Sequence, residues 1–205
     1  TFAEFQQTYY DPRWINDYNG DGTSDIGIFR PSTGLWAIRG LTRVYFGSSF
    51  DTAVPGDYDG DGTTDIGIFR PLTGLWAIRG VTRSYFGSLG DAPQPGDYDG
   101  DGTGDIGVFR PASGLWAIRG VTRAYFGDWE DIPAPGYYDR TTVERNLGVF
   151  RPSTGLWEIR EVTGFYFGTA APAVISGDYN GDGWWEPGIF RPFTGLWAIR
   201  GVTRS

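Results

Sequence analysis

The run Phe-Arg-Pro-x-x-Gly-Leu-Trp occurs five times in this chain, beginning at Phe29, Phe69, Phe109, Phe150 and Phe190. The intervals are 40, 40, 41 and 40 residues, and the Trp follows in step at Trp36, Trp76, Trp116, Trp157 and Trp197. A fixed period constrains the fold more tightly than composition does. Each unit must bury its apolar face against a copy of itself, and the solution repeats along the chain.

The second unit shows what one period contains. Residues 53 to 58 read as a first strand, 57 to 65 as an acidic loop, and 66 to 70 as a second strand. Pro71 to Gly74 is a turn with Pro and Gly where turns favour them. Residues 75 to 79 and 82 to 86 read as the third and fourth strands, ended by Gly87. No stretch carries a helical apolar period. The strand faces are mixed rather than cleanly alternating, as in sheets packed on both sides. Four short strands in about 40 residues is the size of a propeller blade.

Five such units leave a surplus of four in a chain of 205 residues. Residues 1–4 align with positions that Val202 to Ser205 also occupy, and Phe5 takes up at the Tyr85 position, where Ser205 stops. Complementary ends suit a ring, since a strand donated across the join removes exposed edges. The expectation is therefore one all-β domain over residues 1–205. It is a five-bladed β-propeller of four-stranded blades, closed by the N-terminal segment completing the last blade.

Each unit also carries a loop rich in aspartate. The second reads Asp57-Tyr-Asp59-Gly-Asp61-Gly-Thr63-Thr-Asp65, with carboxylates at positions 1, 3, 5 and 9 and Gly at position 6. Alternate positions in a tight loop converge on one point, and the carbonyl at position 7 can join them. Six to eight oxygens at about 2.3–2.6 Å is the coordination of calcium. The first loop offers Asp17, Asn19, Asp21, Thr23 and Asp25, and the third Asp97, Asp99, Asp101, Thr103 and Asp105. The fifth offers Asp178, Asn180, Asp182, Trp184 and Glu186, the last a longer side chain than its counterparts. The fourth loop has an extra residue, Tyr137 in place of the first Asp, and no Gly at position 6. About four calcium ions are expected, with the fourth-unit loop from Tyr137 to Arg145 empty and Arg140 or Arg145 placing a guanidinium near it. An EF-hand is excluded, because position 12 of the second loop is Ile68, within a strand, and no helices flank it.

Composition narrows the chemistry. There is no His and no Cys, so metals that prefer nitrogen or sulfur are disfavoured and no conventional nucleophile–base pair exists. The net charge of -8 argues against nucleic acid, which needs a basic face. No apolar run is long enough to cross a bilayer. Thr1 in place of Met reads as a processed or excised form, part of a larger chain or assembly.

With the loop motif, Phe86-Gly87 and the stretch Gly90-Asp-Ala-Pro93, the chain resembles FG-GAP (VCBS-type) repeat proteins. Integrin alpha-chain propellers and many secreted bacterial proteins are built from these repeats. The resemblance covers essentially the whole chain. It implies calcium at the loop positions named above, a secreted or cell-surface setting, and an adhesive or ligand-binding role toward protein or glycan. A fungal lectin built on similar repeats makes calcium-dependent carbohydrate binding the alternative. Near-identical units offer few of the singular acids that a glycosidase requires, so no enzyme is expected.

The Trp of the Leu-Trp step is expected to fill the wedges between blades. Residues that break the repeat are better candidates for a specific ligand site, namely Trp14, Trp129, Trp184 and Trp185. The Arg columns beginning at Arg30 and Arg39 are expected to be structural, paired with carboxylates or strand-end carbonyls.

Overall fold

The computed structural model describes residues 16–168 and 173–202. Its five antiparallel sheets are arranged as the blades of a five-bladed β-propeller, and among the described residues the only helical elements are two short 3-10 turns, Pro31–Thr33 and Pro111–Ser113. No described helix is long and apolar enough to cross a membrane. The second blade runs Thr52–Ala53, Gly67–Arg70, Leu75–Ile78 and Thr82–Tyr85, each strand beside the next. The third and fourth blades repeat this order. Among the described residues the first and fifth sheets have three strands each. The expected closure by the N-terminal segment falls on residues 1–15, outside the described residues.

The strands are shorter than their sequence pattern suggests. The first strand ends at Ala53, not Tyr58. Pro55 cannot donate to a ladder, and pairing resumes only as a single bridge between Gly56 and Asp65. Tyr58 belongs to the loop, its N–H donating to the Asp65 carboxylate at 3.0 Å.

Burial explains the mixed faces. Trp36 and Ile38 of the first blade pack on Ile66, Ile68 and Ala77 of the second, and equivalent clusters fill the next three seams. Trp36, Trp76, Trp116 and Trp157 are buried as expected, but Trp197 is 53% exposed. Each buried Trp lies 4.9–5.2 Å, centroid to centroid, from the Phe that opens its own repeat. Its indole N–H donates to the carbonyl ten residues on, as from Trp76 to Phe86 at 3.0 Å. A buried indole therefore leaves no unmet donor.

The first Arg column pairs with a carboxylate in the second, third and fourth blades, while the fifth unit has Pro172 where these have Asp. Arg70 holds Asp51 through Nε at 2.7 Å and Nη2 at 2.8 Å, and Arg110–Asp91 and Arg151–Asp131 repeat the fork. Each acid lies in the loop that ends the preceding blade, so each pair ties two neighbouring blades together.

Candidate metal centre

The loop joining the first two strands of each blade is shaped by its own carboxylates. In the second, Asp57 accepts from the N–H of Gly60 at 2.8 Å and of Gly62 at 3.0 Å. Asp61 accepts from Thr63 N–H at 2.8 Å and from its hydroxyl at 2.6 Å. Gly62 has φ +89°, a conformation that side chains disfavour, which is why position 6 is Gly. The loop winds tightly, and ligand oxygens of Asp57, Asp59 and Asp61 lie within 4.8 Å of one another. Asp97, Asp99 and Asp101 converge in the same way in the third loop. Three hard oxygens at that separation fit around one calcium ion.

Carboxylates held this close repel one another. Burial, with the neighbouring charges of Asp59, Asp57 and Asp61, pushes the Asp65 carboxyl up to about 6. Asp105 is pushed up to about 6 by burial and by Asp99, Asp97 and Asp101. Opposite charge at the centre of the loop would reverse both effects.

The first and fifth loops keep the frame with Asn at position 3. Asp17 accepts from Gly20 and Gly22 N–H at 2.7 and 2.8 Å, and Asp25 from Tyr18 N–H at 2.9 Å. In the fifth, Asp178 accepts from Gly181 and Gly183 N–H at 2.7 and 2.8 Å. The longer Glu186 still reaches the Tyr179 N–H at 2.9 Å and also accepts from the Asn180 amide at 2.7 Å. Thr23, Thr63, Thr103 and Trp184 donate their N–H to the position-5 acid of their own loops, at 2.7–2.9 Å.

The fourth loop is built differently. Tyr137 is buried where the others have their first Asp, and its ring meets Trp185 edge-on at 5.8 Å. Asn146 takes the role of the ninth position, accepting from Tyr138 and Asp139 N–H at 2.9 and 3.0 Å. Arg145 Nη1 donates to the Pro95 carbonyl at 2.6 Å and Nη2 to Pro135 at 3.3 Å. Arg140 reaches instead to the fifth loop and pairs with Asp182.

Each loop also grips its neighbour through backbone. The N–H groups of Thr64, Gly104, Arg145 and Trp185 donate to the carbonyls of Asp17, Asp57, Asp97 and Tyr137 of the preceding loop, at 2.5–2.8 Å. The sequence carries no signal for these donors, because any residue but Pro supplies an N–H.

The four repeat-breaking tryptophans part company. Trp129 is exposed. Trp185 is half-buried between the fourth and fifth blades, and Trp184 is half-buried beside it. Trp14 lies outside the described residues.

No protein-family model, no curated protein and no solved structure matches the chain.

Proposed function

We propose that this is an extracellular calcium-stabilised propeller that serves as an adhesion or assembly module, with calcium in a structural role. The calcium reading rests on the converging carboxylates of Asp57, Asp59 and Asp61 and their counterparts in the third loop. An ion there turns repulsion into a cross-link. Position 1 of each of the first three loops also holds the next blade through its carbonyl, so metal would stiffen the blade-to-blade contact as well. The protein then belongs where calcium is abundant, because modules outside cells bind it at about 10⁻⁴–10⁻³ M. The repeat motifs resemble FG-GAP repeats, and that resemblance supports the same reading.

The observation that carries the binding role is at the other end of the strands. Phe50, Leu89 and Trp129 are all exposed, one on each of three successive loops that lead from one blade to the next. Those loops carry Asp51, Asp91 and Asp131, paired with Arg residues at the ends of the second strands farthest from the acidic loops. Exposed apolar side chains that recur on successive loops at one end of the strands suit an interaction surface. The proposed partner is a protein, and replacing Phe50, Leu89 and Trp129 together by Ser is expected to abolish attachment to cells or matrix without changing the calcium-dependent melt. Attachment that survives this triple change would point elsewhere.

Carbohydrate binding is the second reading. Tyr45, Tyr85, Tyr125 and Tyr166 are exposed at equivalent positions in four blades. Exposed aromatic faces suit sugar stacking, and repeated weak sites give avidity. A glycan array in calcium separates the two readings.

A further inference from the structure

The last strand of a blade is a sheet edge, open to pairing with another chain. In the first three blades it runs Thr42–Tyr45, Thr82–Tyr85 and Thr122–Tyr125. Its second residue is an exposed Arg, Arg43, Arg83 or Arg123, which faces Ala37, Ala77 or Ala117 across the ladder. Charged side chains on an edge discourage a further strand from adding.

The fourth blade reverses this arrangement. Its last strand is Thr163–Tyr166, with Gly164 where the others have Arg, and Gly164 faces Glu158 where the others have Ala. Both departures fall on one cross-strand pair, so a place that is cationic in three blades is anionic in this one. Gly164 has none of the positive φ that the turn glycines adopt, so the backbone does not call for Gly there. Glycine inside a strand often marks a site where another backbone comes close. A Cβ at Gly164 would lie 4.0 Å from Glu158 Cγ, so the Glu158 stem runs beside the space left open. Among the described residues Glu158 forms no hydrogen bond or salt bridge. Arg151 feels its charge, but that guanidinium is already held by Asp131. A third departure adds to the charge. Glu161 stands at φ +63°, where the other units have Gly40, Gly80, Gly120 and Gly201, and it is 78% exposed in its pair with Arg160. Backbone strain accepted in one unit only points to a use for that side chain.

We propose that the outer edge of the fourth blade receives an extended basic segment of a partner protein, which adds as a further strand along Thr163–Tyr166. Charge complementarity names the occupant. A Lys or Arg lying over Gly164 meets the Glu158 carboxylate, and a second reaches Glu161. Main-chain hydrogen bonds supply affinity, and the acids supply selection. The edge is as open as those of the second and third blades, Tyr166 being 74% exposed against 73% for Tyr85 and 78% for Tyr125. It uses neither the acidic loops nor Phe50, Leu89 and Trp129, so it stands or falls separately from the calcium and adhesion readings.

The probe is a labelled peptide of about ten residues alternating Thr and Lys, since alternation puts every Lys on one face of a strand. Fluorescence anisotropy in calcium is expected to show binding below about 1 mM. Hydrogen exchange is expected to slow at the amides of Thr163–Tyr166 and not at the outer strands of the first three blades. Gly164→Arg and Glu158→Ala each install the residue of the other blades. Each is expected to keep its circular dichroism and to weaken binding about ten-fold or more, and either suffices should the other fail to fold. A peptide alternating Thr and Glu is expected not to bind. No binding at about 1 mM, binding that Gly164→Arg and Glu158→Ala leave unchanged, or protection spread equally over all four outer strands overturns the proposal. Dimers of the protein alone that Gly164→Arg abolishes also overturn it, because they assign the edge to a second copy.

Discussion

The guanidinium carbon of Arg145 lies 5.1 Å from the centroid of the Trp185 ring, across the boundary between the fourth and fifth blades. The same side chain donates to the Pro95 carbonyl of the third unit and the Pro135 carbonyl of its own. One cation thus ties three successive units, in the one loop that lacks the carboxylate set. Arg145→Ala is expected to destabilise the protein by about 2–4 kcal/mol, since it removes a cation–π contact and strands two carbonyls. The loss should be the same with calcium or with chelator, as urea denaturation under both conditions would show. A loss seen only with calcium would tie Arg145 to a metal site instead.

Chelation provides the direct test of the loops. Saturating calcium stabilises a folded protein by about 2.7 kcal/mol per site when the ion is at 100 times its dissociation constant. Excess chelator is expected to lower the melting temperature substantially, and Asp57→Asn or Asp97→Asn to lower it partly in the presence of calcium. Asp139→Asn in the fourth loop should leave the calcium dependence untouched. An unchanged melt in chelator removes the structural role of calcium.

The acidic loops also set a pH dependence in the metal-free protein. Asp65 and Asp105 have folded-state values of about 6, above the usual carboxylate range. Between that range and pH 6 the folded state binds more protons than the unfolded, so stability falls as pH rises. In chelator, the melting temperature is expected to climb on going from pH 7 to about pH 5. Calcium should flatten or reverse that trend, because the ion displaces the protons.

The Arg70–Asp51 pair works in the opposite direction. Burial pushes the Asp51 carboxyl up, but bonds from Arg70 and Ser48 outweigh it and hold the group below its usual range. Its contribution is present above that range and disappears as pH falls through the lowered value. Arg70→Ala leaves a buried acid without its fork and should cost about 2–3 kcal/mol at neutral pH, at the low end because the Arg side chain is partly exposed. Arg70→Lys should recover only part of this, since Lys cannot form the two parallel bonds.

Arg140 reaches across to Asp182, at position 5 of the fifth loop. A tethered guanidinium on that acid competes with a metal ion for it. Arg140→Gln is expected to tighten calcium binding at this loop about two- to five-fold, the range of an exposed ion pair. Terbium emission excited through tryptophan would report the change, because Trp184 and Trp185 belong to this loop while the first three loops carry Thr, Ser or Gly at those places.

Much of the architecture was legible in the repeat itself. The interval between Phe-Arg-Pro motifs set blade size and number, and the buried Trp column and the Arg forks followed from residue type and position. The strand ends were less legible. Residues 53 to 58 look continuous as a pattern, but Pro55 and the Asp65 carboxylate pull Tyr58 out of the ladder. The acidic loops were readable because position and side chain together define them. The backbone donors that link one loop to the next were not, since an N–H carries no residue identity.

What the chain determined by itself is the unit: four short strands, an aspartate-lined turn, and an aromatic face that needs a neighbour. Tertiary structure decided which neighbour each unit finds. It set Trp36, Trp76, Trp116 and Trp157 each against the apolar residues of the blade that follows. It likewise set Trp185 against Arg145 and sent Arg140 to Asp182. Local sequence fixes conformation through short-range sterics and hydrogen bonds. Burial depends on what surface lies opposite, and that exists only once the units have assembled.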